Sequence, residues 1–155
     1  LGLEPGPLAH VIRRCCEIKA EVVSKDEREG GLRAILNFGH TVGHAVETVE
    51  NYTRRHGEAV AIGMVYASRL ALRMGLCDAG LPERVEKLIR DYGLPTDLSV
   101  LKRRPSVTEL FDAMQVDKKA EGGEIRFVVI DGPSRAAMRG APDALVREVV
   151  DACCL

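Results

Sequence analysis

Apolar residues recur at helical spacing through most of this chain. Leu8, Val11, Ile12, Cys15, Ile18, Val22 and Val23 share one face and predict an amphipathic helix over residues 8–23, which residues 24–31 then interrupt. From Leu32 the positions Ile35, Leu36, Val42, Val46 and Val49 keep roughly the same period, although Gly39 and Gly43 stand among good helix formers at a cost of about 1 kcal/mol each relative to alanine. Such glycines require a reason, and close approach of another backbone or of a ligand is the usual one. After a break at His56-Gly57, residues 58–74 are apolar on most sides, predicting a central, buried helix that stops at Gly75.

Shorter elements follow. Pro82 at a first helical position, the apolar spacing of Val85, Leu88 and Ile89, and Gly93 followed by Pro95 frame a fourth helix. Ser106 and Glu109 have the spacing of a capping box, in which each side chain satisfies an orphan backbone donor, so a fifth helix is expected to about residue 116. Residues 125–130 are β-branched and aromatic between glycine-rich turns, and pair in expectation with residues 136–139. Residues 143–153 close the chain as a helix. The fold class predicted is mainly α, a helical bundle-like domain with one small β-hairpin near residues 124–139, and residues 1–155 form a single domain.

Composition changes this picture little. With 46% apolar and 29% charged residues, the chain has the balance of an ordinary core-forming protein. A net charge of −1, with both signs interspersed, gives no electrostatic reason to expect nucleic acid or an anionic membrane as partner, so any anion site must be local. No apolar run is long enough for a membrane span and residues 1–7 lack a signal-peptide pattern, which predicts a cytoplasmic location. The cysteines, Cys15, Cys16, Cys77, Cys153 and Cys154, are odd in number and lack CxxC spacing, as reduced thiols would be; Cys15 and Cys16 fall in an apolar pattern and read as small core-filling side chains. No GxGxxG or GxxxxGK[ST] loop is present, so a nucleotide-binding α/β unit is not expected within the chain.

The chemistry is concentrated between Lys19 and His56. His40, His44 and His56 lie within seventeen residues, preceded by Lys19, Glu29, Arg33 and Asn37. His40 and His44 are four apart, so on a helix they project from one face and can hold one metal ion as neutral imidazoles. If the helix runs unbroken, Arg33, Asn37, His40 and His44 form one ridge carrying a guanidinium, an amide and two imidazoles, suited to an anion beside a metal. HTVGH is not the HExxH of zinc peptidases, because Thr41 occupies the place of the general-base glutamate. The imidazoles alone leave a coordination shell incomplete unless another segment contributes.

Four stretches taken together, Ile18 to Val23 (IKAEVV), Asp26 to Glu29 (DERE), Arg33 to Glu47 (RAILNFGHTVGHAVE) and His56 to Met64 (HGEAVAIGM), closely resemble the 3-dehydroquinate synthase family. The likeness runs from about Leu8 to Ile130, includes Asp117-Lys118-Lys119, and fades after Asp131. It implies that zinc, or another divalent cation such as cobalt, is held by His40 and His56, with a third ligand, a glutamate, on an upstream segment. It moves His44 from the metal to the substrate phosphate together with Asn37, sets Arg33 and Lys19 at the substrate carboxylate, and puts Glu29 near the substrate hydroxyls and metal. Of Lys118 and Lys119, one contacts phosphate, with Lys119 favoured.

The reaction so implied converts 3-deoxy-D-arabino-heptulosonate 7-phosphate into 3-dehydroquinate and phosphate, a step in aromatic amino acid biosynthesis. NAD oxidises one secondary alcohol and is regenerated within the cycle, the ketone acidifies a neighbouring C–H, and phosphate leaves by elimination. Zinc polarises the hydroxyl being oxidised, and the substrate's own phosphate acts as base. Binding of NAD is expected from an N-terminal domain absent from this chain, which predicts a fragment inactive by itself, and the complete enzyme is expected to be a homodimer acting on a small sugar phosphate. Two alternatives stand beside this reading: another sugar-phosphate cyclase, disfavoured by the joint presence of Arg33, Asn37 and His44, and a non-catalytic helical module that binds metal or phosphate.

Overall fold

Two helices pressed together through glycines organise the molecule. In the computed structural model, which describes residues 4–27, 31–118, 124–132 and 135–153, helix α1 is Pro5–Lys25, α2 His40–Val49, α3 His56–Arg73, α4 Gly80–Asp91, α5 Val107–Lys118 and α6 Asp143–Cys153. Short 3-10 turns, Leu32–Asn37 and Leu98–Val100, and an antiparallel hairpin of β1, Ile125–Gly132, and β2, Arg135–Ala141, complete it. The mainly helical reading with one hairpin holds. No helix among the described residues is long and apolar enough to cross a membrane.

Helix α3 is the axis, as its sequence predicts: eleven of its residues, from Ala59 to Ala71, are buried. It packs on α2, α4, α6 and β1, while α5 supports α2 from behind. Val42, Val46, Ile62, Tyr66, Leu110, Phe111, Met114, Ile125, Phe127, Val129, Val146 and Val150 meet in one continuous core. Each large side chain buried there contributes roughly 1.5–3 kcal/mol by leaving water.

Several local expectations are met in detail. The capping box forms, with Ser106 N–H donating to Glu109 Oε2 at 2.8 Å and Glu109 N–H donating to Ser106 Oγ at 3.2 Å. The hairpin pairs Ile130 with Ala136 and Phe127 with Arg139, with an irregularity between Ile130 and Gly132. Helix α6 has the predicted bounds.

Three expectations need correction. The helix predicted to run on from Leu32 is broken: Leu32–Asn37 is a 3-10 turn, and Gly39 takes a left-handed φ of 84° before α2 begins. The break at His56-Gly57 does not exist, because His56 and Gly57 form the first turn of α3 behind Arg55. Cys15 and Cys16 are exposed rather than core-filling, since α1 buries no residue at all. An apolar stripe shows which face of a helix can be buried, not that anything covers it.

Candidate metal and anion site

The site is built where α2 and α3 pack together. Gly39 and Gly43 have the reason their sequence context demands, and it is a neighbouring backbone. A Cβ on Gly63 of α3 would stand 1.9 Å from the Gly39 carbonyl oxygen and 2.9 Å from the Gly43 nitrogen, and one on Gly43 would meet Val60 Cα at 3.1 Å. The two helices therefore touch main chain to main chain just where His40 starts α2. The turn between them is tight: Asn51 and Tyr52 both have positive φ, and Tyr52 N–H donates to the Glu47 carbonyl at 2.8 Å. This turn folds the chain back so that His56 opens α3 beside the face of α2 that carries His40 and His44.

Arg54 secures the return. Its guanidinium, largely buried, donates to Glu58 Oε2 at 3.1 Å and to the Val100 carbonyl at 2.6 Å, and lies 3.6 Å from Glu50, a buried carboxylate at the end of α2. One cation thus ties the end of α2, the first turn of α3 and the second 3-10 turn. Glu58 has this structural partner, which accounts for its place next to His56. Thr41 fixes the other side of α2 by donating to the Arg126 carbonyl of β1 at 2.9 Å.

The result is a triangle of imidazoles. Ring centres are 5.2 Å apart for His40 and His56, 5.4 Å for His40 and His44, and 6.1 Å for His44 and His56. Metal–nitrogen bonds of about 2.1 Å at a tetrahedral angle put two ligand rings about 5 Å apart, a separation that His40 meets with His56 and equally with His44. Burial holds the His40 imidazole below its ordinary value, and the neighbouring His44 and His56 act in the same direction, against the carbonyls of Phe38 and Asn37. The neutral ring is the form that binds metal.

Glu47 joins this group without having been anticipated. Donor atoms of His44, Glu47 and His56 lie within 4.8 Å of one another, and Glu47 Oε1 is 3.1 Å from His56 Nδ1. Spacing alone carried the signal, because His40, His44 and Glu47 stand at i, i+4 and i+7 on α2.

The anion-binding candidates are less closely gathered. Arg33 and Asn37 are half-buried on the 3-10 turn, and the break at Gly39 means that they do not share a helical ridge with His40 and His44. Arg33 is anchored toward the end of α1: its N–H donates to Asp26 Oδ2 at 2.9 Å and its Nη1 to the Glu27 carbonyl at 3.0 Å. Lys19 is exposed on α1, which packs chiefly on the first 3-10 turn. Glu29 and Lys119 lie outside the described residues, and Lys118 is described only as the backbone that ends α5.

Known proteins resemble the chain in both sequence and fold. The 3-dehydroquinate synthase of Bordetella pertussis is 49% identical over 151 residues, covering 97% of this chain and 41% of that protein. That of Thermoanaerobacter pseudethanolicus is 44% identical over 151 residues, again 97% of this chain and 41% of the relative. The chain therefore spans about two fifths, 41%, of the curated relatives it matches. A crystal structure of 2-deoxy-scyllo-inosose synthase complexed with carbaglucose-6-phosphate, NAD+ and Co2+ aligns with a TM-score of 0.82 at 26% identity, over 97% of this chain and 42% of that one. The fold also recurs in 2-epi-5-epi-valiolone synthase from Streptomyces hygroscopicus with NAD+ and Zn2+ bound, at a TM-score of 0.80 and 24% identity. Since the family model described as 3-dehydroquinate synthase C-terminal matches residues 2–120, the chain belongs to the 3-dehydroquinate synthase C-terminal family.

Proposed function

We propose that this chain is the metal- and substrate-binding part of a 3-dehydroquinate synthase, which forms 3-dehydroquinate and phosphate from 3-deoxy-D-arabino-heptulosonate 7-phosphate. The observation that carries the reading is the meeting of His40 and His56, with ring centres 5.2 Å apart, in a chain whose family match spans residues 2–120. His40 and His56 would hold a divalent cation, zinc or cobalt, which when bound supplies Lewis-acid polarisation of the substrate hydroxyl. Glu29 would complete the polar surroundings of that hydroxyl.

The remaining residues act on the substrate's charges. His44 and Asn37 donate to phosphate oxygens, and Lys119 or Lys118 adds positive charge there. Arg33 and Lys19 pair with the carboxylate, Arg33 through the planar fork that matches it. Catalysis by these groups is positioning and charge stabilisation, which suits a reaction whose leaving phosphate can serve as its own base. NAD would be held by the portion of a complete enzyme that this chain does not match, and the sugar phosphate would bind where the two portions meet.

The test uses the full-length protein. Zinc content after dialysis and phosphate release are measured for the native sequence, His40→Ala and His56→Ala, with the heptulosonate phosphate and with glucose 6-phosphate as substrates. Stoichiometric zinc, lost in both variants, and release from the heptulosonate alone are the expected results. Release from glucose 6-phosphate alone would make the protein a different sugar-phosphate cyclase. Zinc retained by both variants would remove the metal assignment.

A further inference from the structure

His56 stands on the first turn of α3 with its side chain 55% exposed, so packing alone does not hold the ring in one orientation. A neighbouring carboxylate does. Glu47, on the facing side of α2 and 13% exposed, places Oε1 3.1 Å from His56 Nδ1. An ionised carboxylate accepts hydrogen bonds and cannot donate them, so in the neutral imidazole, the form that binds metal, this contact puts the proton on Nδ1 and leaves the Nε2 lone pair for a ligand. His40 is set in the same sense by a different acceptor, its Nδ1 facing the Phe38 carbonyl at 3.4 Å. Two imidazoles from two helices are thus both turned toward binding through Nε2.

We infer that Glu47 is a positioning residue for the metal centre, holding His56 as its Nδ1–H tautomer so that Nε2 faces the cation. The inference rests on the reading of His40 and His56 as metal ligands. It gives Glu47, the one glutamate within α2, a role outside the set of metal- and substrate-contacting residues. An orienting carboxylate behind a histidine ligand raises the basicity of the ring and removes its freedom to rotate, and loss of such a partner commonly weakens metal binding about 10–100-fold.

Two measurements on the full-length protein test it. Nitrogen-15 spectra of the metal-free protein report the tautomer of His56, and competition with a chromophoric chelator reports zinc affinity, for the native sequence, Glu47→Ala, Glu47→Gln and His40→Ala. The Nδ1–H tautomer should dominate in the native protein and give way in Glu47→Ala, with zinc bound about 10–100-fold more weakly. Glu47→Gln, which keeps an acceptor oxygen, should recover part of both. An unchanged tautomer in Glu47→Ala, or equal loss of zinc in Glu47→Ala and Glu47→Gln, overturns the inference; the second outcome makes Glu47 a direct ligand. If His40→Ala loses zinc while Glu47→Ala keeps it, only the positioning role fails. Unchanged affinity in His40→Ala instead removes the metal reading itself.

Discussion

The α2–α3 pair and α1 carry similar sequence signatures and meet opposite fates. Both are amphipathic, yet Val42, Val46 and Ile62 on the first are buried, while Leu8, Val11, Ile12 and Ile18 on the second remain 41–55% exposed. What separates them is the shape of the contact surface together with apolar content, since α3 is apolar on most sides and α1 carries one stripe. The α2–α3 seam has glycines on both sides, letting two backbones touch and buried side chains interlock around them. Helix α1 buries nothing and is laced by exposed pairs such as Lys25 with Glu21 and Arg13 with Glu17. Pairs of that kind contribute a few tenths of a kcal/mol. The histidines stand on the closely packed region, where a small displacement would separate their rings.

The sharpest way to break the contrast is to add one methyl group to the seam. Gly63→Ala places its Cβ 1.9 Å from a backbone oxygen, which no side-chain rotation relieves. We expect a loss of about 3 kcal/mol or more in denaturant-unfolding stability, together with weaker zinc retention because His40 begins the displaced helix. Gly57→Ala, on the same helix with nothing within 4 Å, is the matched control and should be neutral or stabilising by up to about 1 kcal/mol.

An intermediate effect is expected at α5, whose capped start distinguishes it from α1. Ser106→Ala should cost about 1 kcal/mol. The Arg103 guanidinium, followed by the Ser106 backbone and hydroxyl, lowers the Glu109 carboxyl from 4.5 to about 2. A depressed folded-state value means that this contribution is complete above about pH 4.5 and is lost as pH falls toward 2. Unfolding curves measured across that window should therefore be flatter in Glu109→Gln than in the native chain. Identical slopes would show that the box does not hold the helix that backs α2.

The smallest effect belongs to α1. Ile12→Ser should change the stability of this 155-residue chain by no more than about 0.5 kcal/mol, since that side chain is already 55% exposed. Cys15 and Cys16 should react with a thiol reagent ahead of Cys77, which is half-buried and whose thiol burial pushes up. A large penalty for Ile12→Ser, or protection of both thiols, would mean that the apolar face is covered and the contrast with α2–α3 is false.

Local signals in the sequence determined a great deal. The apolar character of residues 58–74 on most sides announced the buried axis, Ser106 and Glu109 announced their capping box, and the β-branched and aromatic run after Gly123 announced the hairpin, because each depends on groups a few residues apart. The GHTVGHAVE and HGEAVAIGM stretches carried the family likeness and named the three histidines. Only tertiary structure decided the rest. It broke the supposed ridge from Arg33 to His44 at Gly39, left α1 uncovered, and brought Glu47 of one helix against His56 of the next. Periodicity specifies which face of an element can be buried or can bear ligands. Which neighbour approaches that face, and how closely, depends on a two-residue left-handed turn at Asn51 and Tyr52 and on a glycine at position 63, features whose effect exists only when distant backbones meet.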